Sequence, residues 1–231
     1  MFTLTVLLLG LFAVLSYATW TVPWWQGYFQ NDFIHYMEAV NRWIATGTPY
    51  PPAQVAAPFD YTPTTFMHPP IALLLFAPFL VIPATFYWLI PLSVAAWVIV
   101  SFRPAPWSWP LMALPLVLYP AGIALYTGGS DVWAWAAFAA GLRWDWPAAL
   151  LALKPSLMFG AFVGVRHPSW WRTAAILALL ALPFGWLWVD WIHVVLNSRG
   201  TLLYSAGNVF MFSIPAIARL ASGNAGRSRS P

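Results

Sequence analysis

The chain has 231 residues, of which 61% are hydrophobic and 7% charged, with a mean hydropathy of +0.70. A soluble domain carries about 25% charged residues, so this composition excludes an ordinary water-facing surface. The absence of heptads and of a Gly-x-y repeat excludes the fibrous classes. The formal charge of +4 comes from nine Arg and one Lys against six acids, spread over loop ends and the tail, a pattern that fits orientation in a membrane and not nucleic-acid binding.

There is no cysteine, so disulfides and thiolate-ligated metals are excluded. The four histidines, His35, His68, His167 and His193, include no pair at metal-binding helical spacing, and there is no D-x-D pair. No metal or other cofactor is implied.

In chain order, residues 3–22 form an apolar stretch long enough to span a bilayer, with no positive residue before it, and are read as the first transmembrane helix and not a cleaved signal. Seven further candidate spans follow at 69–82, 84–102, 109–126, 131–142, 147–165, 172–189 and 201–219, two of them short. Pro78, Pro91, Pro115 and Pro155 should kink several of these. The expected fold is therefore an all-α, polytopic transmembrane bundle of seven or eight spans. It forms one domain over 1–220, with a disordered cytoplasmic tail over 221–231.

The 17 Trp cluster at span ends (Trp20, Trp24 and Trp25; Trp107 and Trp109; Trp144 and Trp146; Trp170 and Trp171; Trp186, Trp188 and Trp191), where amphipathic rings favour the headgroup level. Trp88, Trp97 and Trp133 read instead as core aromatics. The basic turn from Arg166 to Arg172 and the basic tail lie an even number of spans apart, which places both, and the N-terminus, on the cytoplasmic side. Residues 23–68 then lie outside, in a bacterial plasma membrane.

That external segment has the only real loop chemistry. Residues 33–46 place Phe33, Tyr36, Met37, Val40, Trp43 and Ile44 on one face at helical spacing, with Asp32 at the N-cap position and Gly47 just past the end. This predicts an amphipathic helix lying on the outer membrane surface. The Pro-rich stretch from Pro49 to Pro70 reads as ordered coil.

Asp32 is the sharpest candidate for chemistry: a carboxylate beside an interfacial helix can take a proton from an acceptor hydroxyl, while the plainer role is the helix cap. Lys154 is the only lysine and falls inside an apolar span. A charge there needs a partner or a cavity, so it either holds a phosphate or pairs with Asp131, itself a good helix-start residue after Gly128, Gly129 and Ser130. His68 precedes Pro69 and Pro70 at the mouth of a span, where it contacts substrate or sits as an interface residue.

The residues Asp32-Phe33, Tyr36, Ala39, Gly47 and Tyr50, with His68-Pro69-Pro70 leading into a span, give an order and spacing that resembles the start of glycosyltransferase family 87. Those are polyprenyl-phosphate-mannose-dependent mannosyltransferases with the GT-C membrane fold. Gly128-Gly129, Leu153-Lys154-Pro155 and the basic turn Arg166 to Arg172 resemble its later blocks. The resemblance covers residues 1 to about 190 and departs at His68, where the family has an aromatic, and at Gly129, where a polar residue such as Gln is usual.

It implies a GT-C-like bundle transferring a mannose-type sugar, with inversion, from a polyprenyl-phosphate donor to an acceptor on the extracytoplasmic face. Asp32 would be the catalytic base, and Lys154, His68, Tyr36, Tyr50 and Arg42 would be the substrate-binding set. Its partners would be the lipid-linked donor and membrane lipids. Family members run to about twice this length, so the alternative is a non-catalytic membrane subunit or lipid-binding relative, or a half whose donor site a second membrane protein completes. The catalytic reading requires Asp32, His68 and Lys154 to converge on one outward-opening, water-filled cavity.

Overall fold

The computed structural model describes residues 29–60, 65–117, 119–199 and 209–222. The proposed first span, the start of the 201–219 stretch and nearly all of the 221–231 tail lie outside these. The described residues are all-helical and contain no strand; a single β-bridge joins Phe59 to Ser198.

Helix α1 (Asn31–Thr46) buries Phe33, Tyr36, Ala39 and Val40, the 3.6-residue stripe that the sequence pattern predicts. Ile44, placed on that stripe, is exposed instead. The helix stops at Gly47, whose φ of 81° lets its N–H reach back to the Trp43 carbonyl at 2.8 Å. Its start differs from expectation. The helix begins at Asn31 after a left-handed Gln30, so Asp32 lies in the first turn and does not cap. In the Pro-rich stretch, the described residues before Pro70 are coil except for the short α2 (Pro52–Ala56), opened by proline at its first position.

Pro70–Leu80 mixes 3-10 and α turns (α3) and meets α4 (Thr85–Ser101) at 114°. Then come α5 (Ser108–Ala113), which tightens to 3-10 through Val117, and α6 (Tyr119–Thr127). Helix α7 (Asp131–Trp144), alanine-rich and apolar between Asp131 and Arg143, buries most of its residues and packs between α4 and the last described helix, α10 (Phe210–Leu220). Two 3-10 stretches pack on α7: Trp146–Leu153 runs back along it and brings Lys154 to Asp131, and Pro155–Gly164 returns, so that Gly164 stands against Asp145. Lys154 between them is extended because proline at 155 disfavours the helical region for its predecessor. The expected span 172–189 is instead broken at Gly185: α8 (Pro168–Ala181) continues as 3-10 turns to Phe184, and α9 (Leu187–Asn197) departs at 94°.

Two cores result. One joins α4, α7 and α10 and includes the Phe138–Phe212 stack, with centroids 4.3 Å apart. The other is aromatic and gathers Phe33, Tyr36, Phe66, Phe76, Phe79 and Tyr87 beneath α1. Among the described residues no single helix is long and apolar enough to cross a membrane; the two bent pairs, Pro70–Leu80 with Thr85–Ser101 and Pro168–Phe184 with Leu187–Asn197, pass that test together by length and composition. Large apolar side chains such as Val81, Leu179, Leu182, Trp186 and Leu196 are exposed. Trp97, expected in the core, is exposed and stacks on Trp144 at 5.2 Å.

Candidate functional site

The site forms where the first turn of α1 meets the α6–α7 junction. The Gln30 N–H donates to the Tyr126 carbonyl at 3.2 Å, and the Trp88 indole donates to the Leu125 carbonyl at 2.8 Å, so the start of α1 and α4 are both tied to the end of α6. Gly128 takes φ of 76° between them, and a Cβ there would stand 2.6 Å from the Trp88 ring and 3.0 Å from Phe33. Only glycine fits this position.

Asp32, carried in by α1, receives a 2.6 Å hydrogen bond on Oδ2 from the Thr127 hydroxyl, which also lies 3.0 Å from the Ile123 carbonyl. Across Gly129 lies Asp131: a Cβ on that glycine would be 3.0 Å from Asp131 Oδ2 and 3.3 Å from Asp32 Oδ2. The two carboxylates thus face one another over a residue with no side chain. Burial raises the Asp32 carboxyl above its ordinary 3.8; the Thr127 bond and the Lys154 charge pull it back, and Asp131 adds to the rise.

Lys154 closes the network. Its ammonium donates to Ser130 Oγ and to Asp131 Oδ2, each at 2.9 Å, with both charged side chains almost fully buried. Ser130 in turn lies 3.3 Å from His68 Nε2, and its backbone N–H donates to the Tyr36 hydroxyl at 3.2 Å. Tyr36 is fixed by stacking on Phe76, 4.3 Å away, and by an edge contact with the His68 ring. Burial, reinforced by the Lys154 charge, lowers His68 well below its ordinary 6.5 and keeps the imidazole neutral at neutral pH.

The carbonyl groups of residues 67 and 68 are tied from behind. Tyr50 is fully buried and donates its hydroxyl to the His68 carbonyl at 2.8 Å, and the Trp191 indole donates to the Met67 carbonyl at 3.0 Å. Tyr50 therefore positions His68 and does not face the polar network. Arg42 stands apart, donating to the Pro49 carbonyl at 2.8 Å at the far end of α1. Of the six residues singled out from sequence, Asp32, Tyr36, His68 and Lys154 converge, and Tyr50 and Arg42 do not.

A cavity of about 510 Å³ opens from this network. His68, Ser130, Trp133 and Lys154 line one part of it, and Trp97, Trp144 and Trp146 another, with apolar side chains over the rest. Asp32 does not line it, so the required convergence on one water-filled chamber is met by His68 and Lys154 only, and the chamber is apolar. Two buried polar atoms beside the network have no partner among the described residues: the Trp133 indole N–H and Asp131 Oδ1. Thr127 and Ser130, which hold Asp32 and link Lys154 to His68, carried no sequence signal, since each is separated from its partners by 24 to 95 positions. Among the described residues no group of three His, Cys, Asp or Glu is placed to hold a metal ion.

Compared with protein-family models, characterised proteins and solved structures, the chain matches none. The resemblance to glycosyltransferase family 87 rests on the motif residues alone.

Proposed function

We propose that the chain is a multi-pass protein of a bacterial plasma membrane with a GT-C-like bundle, and that it transfers a mannose-type sugar from a polyprenyl-phosphate donor to an acceptor hydroxyl on the extracytoplasmic face. The observation that carries this reading is the network itself. A half-buried carboxylate, Asp32, stands beside a buried Lys154–Ser130–His68 array at one end of an apolar cavity. The exposed apolar side chains and the two bent apolar helix pairs support placement in lipid.

In this reading the acceptor oxygen attacks the anomeric carbon while Asp32 takes its proton. The bond from that carbon to the phosphate oxygen breaks with inversion, and polyprenyl phosphate leaves with the electron pair. The raised Asp32 carboxyl is a stronger base than a solvated one, and Lys154, as a compact cation, offsets the charge on the leaving phosphate. Tyr36 and His68 shape the sugar end.

Two observations favour a second reading. Asp32 does not line the cavity, so the convergence that the catalytic reading requires is incomplete. Lys154 already has a counter-ion in Asp131, as a purely structural lysine would, and the chain would then be a non-catalytic membrane subunit or lipid-binding relative. Transfer of label from polyprenyl-phosphate sugars by the purified chain in vesicles separates the two, since transfer is expected only from the enzyme. Topology is tested separately: cysteines placed at Gln54 and Ser169 should label from opposite sides of the membrane, and labelling from one side contradicts the proposed orientation.

A further inference from the structure

The described arginines are not spread evenly over the fold. A strict alternation of the apolar segments would put Arg103 and Arg143 on the opposite side from Arg166, yet all three stand at the C-terminal end of α7. The alternation slips at Pro70–Leu80, whose Phe76 and Phe79 both pack on α1, so that this segment turns back before α4 begins. Past the end of α4, the Ala105 N–H donates to the Ala221 carbonyl at 3.1 Å, and Arg219 donates to the Leu142 carbonyl, so α4, α7 and α10 end together. Gly164 packs against the Asp145 carbonyl, and His167 stands 3.5 Å from the Asp145 carboxylate. That contact adds the turn with Arg166 and the start of α8 with Arg172.

Arg103, Arg143, Arg166, Arg172 and Arg219 are all exposed and share this end with one carboxylate, Asp145. The other five acids, Asp32, Glu38, Asp60, Asp131 and Asp190, lie toward the Asp32 end, with Arg42, Lys154 and Arg199. Arg103, Arg166 and Arg172 make no hydrogen bond or ion pair with another described residue. Among the guanidiniums stand exposed indoles, those of Trp97, Trp107, Trp144, Trp146 and Trp171. Two of these are held in place: Arg143 lies 5.7 Å over the Trp144 ring, and the Trp171 N–H donates to the Val165 carbonyl at 2.9 Å.

We infer that this end of the protein binds anionic phospholipid headgroups, with the arginines on their phosphate oxygens and the indoles where headgroup meets acyl chain. The inference rests on the proposed placement in a membrane and not on the sugar donor. A guanidinium matches two phosphate oxygens at once, and the negative potential of a cytoplasmic leaflet draws in basic residues at span ends. A soluble polyanion would meet the same arginines but gain nothing from five exposed indoles. A headgroup layer is charged and apolar within a few ångströms and satisfies both. A zwitterionic headgroup brings its own cation against the arginines, so the surface selects by net charge.

The test is binding of phosphatidylglycerol and phosphatidylcholine with identical acyl chains to the full chain in detergent, followed by native mass spectrometry. Phosphatidylglycerol should bind about tenfold more tightly. Arg166→Gln and Arg172→Gln remove no contact with a described residue, and each should lower that preference about threefold. The two together should nearly abolish it. Arg199→Gln, at an equally exposed arginine of the Asp32 end, should leave it unchanged. Equal binding of both lipids by the parent, a preference kept in the double variant, or an equal loss in Arg199→Gln overturns the headgroup site while leaving the proposed transfer standing. Full displacement of phosphatidylglycerol by inorganic tripolyphosphate at equal concentration overturns the lipid assignment in favour of a soluble polyanion. Binding of neither lipid overturns the placement in a membrane and the headgroup site together.

Discussion

At its N-terminal end α7 joins Asp131 to Lys154, Ser130 and His68 in a buried set of hydrogen bonds, whereas at its C-terminal end the cavity wall is formed by Trp97, Trp144, Trp146 and apolar side chains. Charge appears at that second end only toward the surface: Asp145, just past the helix, stands 3.5 Å from His167, Arg143 lies over the Trp144 ring at 5.7 Å, and the Arg219 guanidinium donates to the Leu142 carbonyl on the exposed side. The difference teaches how a nearly uncharged chain places its few charges. A dry charge is stable only with partners of fixed geometry, so every residue of the first end constrains the others, while indoles and alanines at the second end constrain little.

Breaking the ion pair should therefore have the largest effect on stability. Lys154→Met strands a buried carboxylate and should cost about 3–5 kcal/mol, and adding Asp131→Leu should restore most of it. Thermal unfolding in detergent measures both; a single-variant loss near zero would mean the pair is solvated. Next comes Gly128→Ala, whose added methyl meets the Trp88 ring and a φ of 76°, with an expected loss of about 1–3 kcal/mol.

The pH dependence separates two groups of opposite sign. His68 is lowered in the folded state, so the unfolded chain binds more protons below 6.5 and stability falls as pH drops through that range. The slope is at most about 1.4 kcal/mol per pH unit for one proton. Asp32 is raised, so it favours folding when protonated, and that contribution is lost as pH climbs from 3.8 through its higher folded value. Melting curves of His68→Gln should lose the acid decline, and those of Asp32→Asn should steepen it; identical profiles would place both groups in water. The smallest effect belongs to the other end of α7: Trp97→Ala should change unfolding by less than about 0.5 kcal/mol, because the ring is already exposed.

Much of the helical content was legible, and the reasons differ by element. The stripe Phe33, Tyr36 and Val40 with Gly47 behind it predicted α1 to within two residues, because burial of that stripe and a left-handed stop are local properties. Pro155 predicted the break that delivers Lys154. The break at Gly185 was not visible, since an apolar run reads the same whether it is straight or bent. Asp before an apolar stripe fits a cap as well as a base, and the Thr127 hydroxyl that holds Asp32 instead lies 95 positions away, beyond the reach of local pattern. Trp97 is exposed against expectation because periodicity places a residue on a face and does not say whether anything covers that face.

In the proposed function Asp32 serves chemistry and not the helix. Asn keeps an oxygen to accept the Thr127 hydroxyl and removes a charge that burial disfavours, so Asp32→Asn should unfold at the same temperature as the parent or higher at neutral pH. The same substitution removes the base, and transfer from the polyprenyl-phosphate sugar should fall by about 10²–10⁴. Unfolding and transfer measured together on that variant decide the matter: a stable, inactive protein is the predicted result, and a stable protein with undiminished transfer contradicts it.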